Sequence, residues 1–234
     1  MPPPREHLPR NAAGKTAVLL RDRLSRAHLY LVTPAVPPAG ALDEFLPRVL
    51  EAGVDIVQLR EKDMEAGSLL RHCEVVRRRT AEFGALFIVN DRVDVALAAG
   101  ADGVHVGQDD LPVDEARRQL GPVPLIGIST HSEGQFLAAL RADTDYVAIG
   151  PVFATPTKPG RPAVGLGLVG FASDRATKPV FAIGGIDSAN LYQVLEAGAR
   201  RICVVRALTL SPDPGEAAGA LRGPIVAAAD GIDR

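Results

Sequence analysis

The chain has 234 residues and a mass of 24.6 kDa, with 47% hydrophobic and 23% charged residues, which is an ordinary globular composition and enough chain for a full core. Its 26 Lys+Arg against 28 Asp+Glu leave a net charge of −2, which argues against nucleic-acid binding driven by bulk charge while leaving room for a local basic site, and the absence of Trp with only 4% aromatics argues against a base-stacking surface. The apolar runs are too short to cross a membrane, and Cys73 and Cys203 do not make a metal site; they could form one disulfide at most and read rather as buried thiols of a reducing compartment.

The first 26 residues mix prolines and basic residues around one short apolar run, Ala17-Val18-Leu19-Leu20, too closely flanked by charge for a secretory signal. They read as a loose or helical extension of a cytoplasmic protein, ahead of one domain at 27–234. From residue 27 onward, short apolar runs alternate with amphipathic stretches. Strands are expected at 27–32, 55–59, 86–89, 103–106, 125–128, 145–149, 180–183 and 201–205. Helices are expected at 42–52, 65–83, 93–99, 132–140 and 189–197, with a last one within 215–229. A weak repeat runs through the chain. Gly53-Val54-Asp55, Gly100-Ala101-Asp102 and Gly198-Ala199-Arg200 each place a glycine, suited to a left-handed helix cap, just before a strand. Arg141-Ala142-Asp143-Thr144-Asp145 is a copy without the glycine. Eight strands interleaved with helices imply a parallel sheet, and about 25 residues per unit is tight but workable for a (β/α)8 barrel. A doubly wound open sheet is the alternative, disfavoured because no Gly-x-Gly-x-x-Gly follows the first strand.

In such a barrel the chemistry lies where strands end. Arg60 and Lys62 follow the second strand, and a spacing of two turns them to one side; by themselves they are also compatible with a solvated strand end. Lys158 comes from the loop after the sixth strand, and Asn90 and Ser129 add neutral donors. Cations and donors at one rim suit a phosphate or pyrophosphate. Asp91 and Asp110 follow the third and fourth strands. Either has a plain structural reading, Asp91 as a helix cap and Asp110 as a turn residue; paired beside a phosphate site they describe a Mg²⁺ site completed by substrate oxygens and water. Gly184-Gly185 and the backbone at Val205-Arg206 fall where barrel enzymes often hold phosphate, though paired glycines also serve tight turns. His105, on a strand, reads as a satisfied interior residue. Two anion sites suggest two phosphorylated substrates.

Taken together, Gln58-Leu59-Arg60-Glu61-Lys62, Asn90-Asp91, the run from Gly103 through His105 and Gly107 to Asp110, Gly127-Ile128-Ser129-Thr130-His131, the run Gly150-Pro151-Val152-Phe153-Ala154-Thr155-Pro156-Thr157-Lys158, and Ile183-Gly184-Gly185-Ile186 resemble the thiamine-phosphate synthase family, from about residue 27 to 208. The resemblance implies a TIM-type barrel that joins 4-amino-5-hydroxymethyl-2-methylpyrimidine pyrophosphate to 4-methyl-5-(2-hydroxyethyl)thiazole phosphate. It implies that Gln58 lies on the pyrimidine and that Arg60 and Lys62, within the segment that includes Leu59 and Glu61, hold the pyrophosphate with Asn90, Ser129 and Lys158. It further implies one Mg²⁺ on Asp91 and Asp110, and thiazole phosphate on Thr155, Pro156, Thr157, Gly185, Val205 and Arg206. The family often has Ser where this chain has Arg206. Partners implied are small phosphorylated molecules, with neither nucleic acid nor membrane, and a homo-oligomer stays open. A thiazole tautomerase of the same fold, using His131, and a silent binder of the same precursors are the alternatives; the leaving-group set argues for the synthase.

Overall fold

The computed structural model describes residues 10–156, 160 and 162–231; Thr157 and Lys158 therefore lie outside the described residues. The elements are α1 (Arg10–Arg26), β1 (Leu29–Thr33), α2 (Leu42–Glu51), β2 (Ile56–Leu59), α3 (Ala66–Phe83), β3 (Leu86–Asn90), α4 (Val93–Ala99), β4 (Gly103–Val106), α5 (Val113–Leu120), β5 (Leu125–Thr130), α6 (Glu133–Arg141), β6 (Tyr146–Ile149), α7 (Gly165–Arg175), β7 (Val180–Ile183), α8 (Leu191–Glu196), β8 (Ile202–Val204), α9 (Arg206–Thr209) and α10 (Pro214–Asp230). The eight strands are all parallel and close in chain order, β8 returning to β1, so the expected (β/α)8 barrel is the fold and the open sheet is excluded. Every expected strand is present, within one or two residues. Three helices escape the periodicity. α5 buries only Val113, Ala116 and Leu120 on an otherwise charged surface; α7 carries three glycines in eleven residues, and glycine disfavours helix; α9 is a four-residue turn.

Period two along each strand sorts the side chains. Leu29, Leu31, Val57, Leu59, Phe87, Val89, Val104, Val106, Ile126, Val147, Ile149 and Ala182 face outward into the core shared with the helices. Tyr30, Ile56, Leu86, Ile88, Leu125, Tyr146, Phe181 and Cys203 fill the barrel. The rings of Tyr30, Tyr146 and Phe181 meet edge to face, with centroids 5.3–5.9 Å apart. Gly127 makes this possible, because a Cβ there would sit inside the Tyr146 ring that packs across from it.

Helix α1 packs under the barrel. Leu20 and Leu24 join the interior cluster. The Arg21 guanidinium donates to the carbonyls of Pro122 and Val123, at 3.2 and 3.3 Å, and pairs with Asp145 at 2.9 Å. The sequence repeat has a physical meaning at this end. Asp55, Asp102 and Asp145, each just before an even-numbered strand, accept from the backbone N–H of Leu29, Phe87 and Ile126 on the preceding odd-numbered strand, at 2.8–2.9 Å. The carboxylates clip neighbouring strands together at their amino ends.

Candidate functional site

At the carboxyl ends the interior turns polar. Gln58, Asn90, His105 and Ser129 stand at the last inward positions of β2, β3, β4 and β5, and all four are buried. Two adjoining cavities open above them, of about 370 and 340 Å³, sharing Ser129, Ala148, Ile183, Cys203, Val205, Arg206 and Leu210. Ser129 therefore stands at the junction of the two.

The first cavity is built on β6 to β8. Gly184 and Gly185 take φ of +105° and +67°, a region that side chains resist, and turn the chain after β7 tightly against Pro151 and Phe153. Thr155, Pro156, Gly185, Val205 and Arg206 line it, as does His131, whose Nδ1 is bound to the Gly150 carbonyl. Arg206 is exposed and starts α9, and among the described residues its guanidinium has no ion-pair or hydrogen-bond partner.

The second cavity is lined by Tyr30, Gln58, Arg60, Asn90 and His105. Asn90 Nδ2 is buried with no hydrogen-bond partner, and such a donor costs about 1–3 kcal/mol if nothing ever meets it. Arg60 is half-buried beside it. β2 ends at Leu59, so period two does not extend over Arg60 and Lys62. Arg60 lines the cavity, whereas Lys62 Nζ lies 2.9 Å from Asp91 Oδ2. Leu59 is packed in the outer core, and Glu61 Oε1 accepts from Ala35 N at 2.6 Å, so these two side chains hold the scaffold around the cavity.

Asp91 is not a helix cap. The N-cap of α4 is Arg92, and Asp91 is a non-glycine residue at φ +60°, around which the N–H of Arg92 donates back to Asn90 O at 2.7 Å. That three-residue turn aims the carboxylate at Asp110 as well as at Lys62. Burial, then the hydrogen-bonded Asp110, hold the Asp91 carboxyl above the usual carboxylate range, against the pull of Lys62. Asp110 in turn accepts from Gly107 N at 2.8 Å. Two carboxyl groups this close favour a shared proton or a cation between them. Among the described residues no group of three or more His, Cys, Asp or Glu could hold a metal ion, so a cation here would depend on ligand oxygens and water for its remaining coordination. Cys73 and Cys203 are both buried and are not joined in a disulfide, as the sequence suggested.

Sequence reasoning missed the groups beneath this rim. Tyr30 and Tyr146 read as ordinary buried strand residues, yet their hydroxyls link Gln58 to His105 across the barrel. The available signal was parity: each lies an even number of positions before an inward residue of its own strand.

A closed (β/α)8 barrel with two adjoining cavities at its carboxyl face, one lined by Arg60, Asn90 and Ser129 and one by a glycine turn, defines an enzyme suited to phosphorylated small molecules. The family model described as thiamine monophosphate synthase matches residues 29–208. A thiamine-phosphate synthase of Mycobacterium sp. (strain KMS) is 51% identical over 217 residues, covering 88% of this chain and 96% of that protein. That of Mycobacterium marinum is 50% identical, covering 89% of this chain and 100% of its own length. Among solved structures, a thiamine phosphate pyrophosphorylase from Pyrococcus furiosus superposes with a TM-score of 0.80 at 33% identity, over 89% of this chain and 98% of that one. The chain belongs to the thiamine monophosphate synthase family and is an enzyme of it. Among the described residues no helix is long and apolar enough to cross a membrane.

Proposed function

We propose that this enzyme joins 4-amino-5-hydroxymethyl-2-methylpyrimidine pyrophosphate to 4-methyl-5-(2-hydroxyethyl)thiazole phosphate, giving thiamine monophosphate and pyrophosphate, in the reducing compartment that its two buried, unbridged thiols suit. The observation that carries this reading is the pair of cavities meeting at Ser129, because a substitution between two phosphorylated molecules needs two anion sites sharing one junction. The second cavity takes the pyrimidine. Gln58 Nε2 is engaged by Tyr30, which leaves Oε1 to accept from the ring amino group. Arg60, Lys62, Asn90, Ser129 and Lys158 hold the pyrophosphate, the orphaned Nδ2 of Asn90 finding its acceptor there. The first cavity, lined by Thr155, Pro156, the Gly185 turn and the Val205-Arg206 backbone, takes the thiazole phosphate, with the Arg206 guanidinium as an added cation; the family resemblance gives Thr157 the same role.

The bond between the pyrimidine methylene carbon and the pyrophosphate oxygen breaks, the electron pair leaving with oxygen. The thiazole nitrogen lone pair forms the new carbon–nitrogen bond. The ring amino group stabilises the electron-poor methylene, so no protein nucleophile or strong base is required. The protein's part is to fix both partners and to surround the departing pyrophosphate with donors. Mg²⁺ on Asp91 and Asp110 would add Lewis-acid neutralisation of the same leaving group. The test is thiamine monophosphate formation from the two substrates with Mg²⁺, with EDTA, and in Lys158→Ala and Asp91→Ala. Metal-dependent product, strongly reduced in both variants, is expected. Folded wild-type protein that makes none with Mg²⁺ overturns the reading.

A further inference from the structure

Five buried side chains form one hydrogen-bonded chain through the barrel interior. Gln58 Nε2 donates to Tyr30 Oη at 2.6 Å. Tyr30 Oη and Tyr146 Oη are 2.9 Å apart, Tyr146 Oη and His105 Nδ1 3.1 Å, and His105 Nε2 and Ser129 Oγ 2.9 Å. The exposure of these groups runs from 0% at Tyr146 to 8% at Ser129. A chain of this kind has a direction, because each hydroxyl owns one proton and a neutral imidazole owns one. With Gln58 entering as a donor, every contact in the chain is satisfied if the Tyr30 proton goes to Tyr146 and the Tyr146 proton to His105 Nδ1. The imidazole then carries its own proton on Nε2 and gives it to Ser129 Oγ. With its oxygen already accepting, Ser129 has its own proton left to offer, and it stands where the two cavities meet. Burial holds both phenols well above their ordinary range, so neither breaks the chain by ionising at neutral pH. The Gln108 amide fixes the same serine from the backbone side, donating to Ser129 O at 2.7 Å.

We propose that His105, with Tyr146 and Tyr30 behind it, is a positioning residue that keeps the Ser129 hydroxyl turned outward as a hydrogen-bond donor to the anion bound at the cavity junction. This rests on the proposed function only in naming the pyrophosphate as that anion. Were the chain to run the other way, Ser129 would spend its proton on His105 and present lone pairs to the anion. The direction therefore decides whether the junction attracts or repels negative charge.

Two measurements test this on the full chain. The first is the imidazole tautomer of His105 in ligand-free protein, read from its ring ¹⁵N shifts and assigned with His105→Asn. Nε2–H with an accepting Nδ1 is expected; Nδ1–H overturns the proposal. This arm needs no turnover, so it also stands if the assigned reaction fails. The second is a double-mutant cycle on thiamine monophosphate formation with Ser129→Ala, Tyr146→Phe and the pair. Tyr146→Phe is expected to lower kcat/KM for the pyrimidine pyrophosphate about 10- to 100-fold, the range of one hydrogen bond to a charged group, with the KM for thiazole phosphate unmoved. The double variant is expected to be no worse than Ser129→Ala alone. Multiplying losses would make Tyr146 a merely structural residue, and a fully active Ser129→Ala would remove the donor on which the proposal depends; either result overturns it. Tyr30→Phe interrupts the same chain one bond further back, and it serves if Tyr146→Phe does not fold.

Discussion

Replacing Gly185 by Ala tests the first cavity at its tightest point. The residue has φ +67°, and a Cβ placed there would lie 2.8 Å from Phe153 Cβ and 3.0 Å from Ala154 O. The left-handed conformation costs a non-glycine residue about 1–2 kcal/mol, and crowding a packed neighbour adds about 1–3 kcal/mol. Gly100→Ala is the control. Gly100 has nearly the same conformation, φ +63°, at the C-cap of α4, with nothing within 4 Å of the added Cβ. It carries the conformational cost alone and lies at the opposite end of the barrel from the cavities. For a chain of this size about 1 kcal/mol moves Tm by about 2–4 °C. Gly100→Ala should therefore lower Tm by a few degrees with KM values unchanged, and Gly185→Ala by about 5–15 °C. Shifting the backbone N–H groups of the turn should also raise the KM for thiazole phosphate about 10-fold or more, the worth of a hydrogen bond to a charged group, and leave that for the pyrimidine pyrophosphate within about two-fold. Thermal melts and steady-state kinetics with each substrate varied in turn supply both numbers. If Gly185→Ala melts no lower than Gly100→Ala, or if both KM values rise together, the assignment of the turn to one cavity is wrong.

Other consequences are as direct. Leu24, 2% exposed against the barrel interior, should cost about 2–5 kcal/mol when cut to Ala; an unchanged melt would mean that α1 does not close the barrel. Gly127→Ala should be poorly tolerated, by at least about 1–3 kcal/mol, because its Cβ meets the Tyr146 ring, and Gly127→Ala with Tyr146→Phe should do no better, since the clash is with the ring and not with the hydroxyl.

The parts of the fold that were legible in the sequence are those with strong local patterning. Strands such as Leu86–Asn90 and Val180–Ile183 are dense apolar runs, and α4 is bounded by Gly100, whose left-handed cap is its natural end. Helices α5 and α7 escaped because a thin apolar face and three glycines give a weak period, and packing on the barrel makes up the difference. At the site, the rim residues were legible because barrel chemistry sits at strand ends; the sharp turn at Asp91 was not, since a positive φ at an aspartate is imposed by its surroundings and leaves no mark in composition. The chain from Gln58 to Ser129 was illegible for a different reason. Tyr30 and Tyr146 lie 116 positions apart, and only closure of the barrel brings their hydroxyls together.

The amino end of the barrel separates the cost of a buried charge from the value of its hydrogen bond. Asp102 accepts from Phe87 N at 2.8 Å, and burial holds its carboxyl above the ordinary range, with the Phe87 N–H and Arg23 pulling it back only in part. A carboxyl raised on folding binds its proton more tightly in the folded state, so folding stability falls as pH rises through the window between the unfolded and folded values. Asp102→Asn keeps an acceptor for Phe87 N and removes the buried charge. It should therefore match or exceed the wild type in stability at neutral pH and lose ground to it on acidification through that window. Asp102→Ala removes the acceptor as well, leaves a buried N–H unmet, and should cost about 1–3 kcal/mol. Denaturant melts at a series of pH values distinguish the two. A wild type and an Asn variant with parallel pH profiles would show that the Asp102 carboxyl is not raised by burial, and an Ala variant as stable as Asn would show that the strand clip contributes nothing. Since this rim lies at the opposite end from Ser129, neither change should move KM for either substrate by more than about two-fold, and a larger effect would refute the separation of the stabilising end of the barrel from its chemical end.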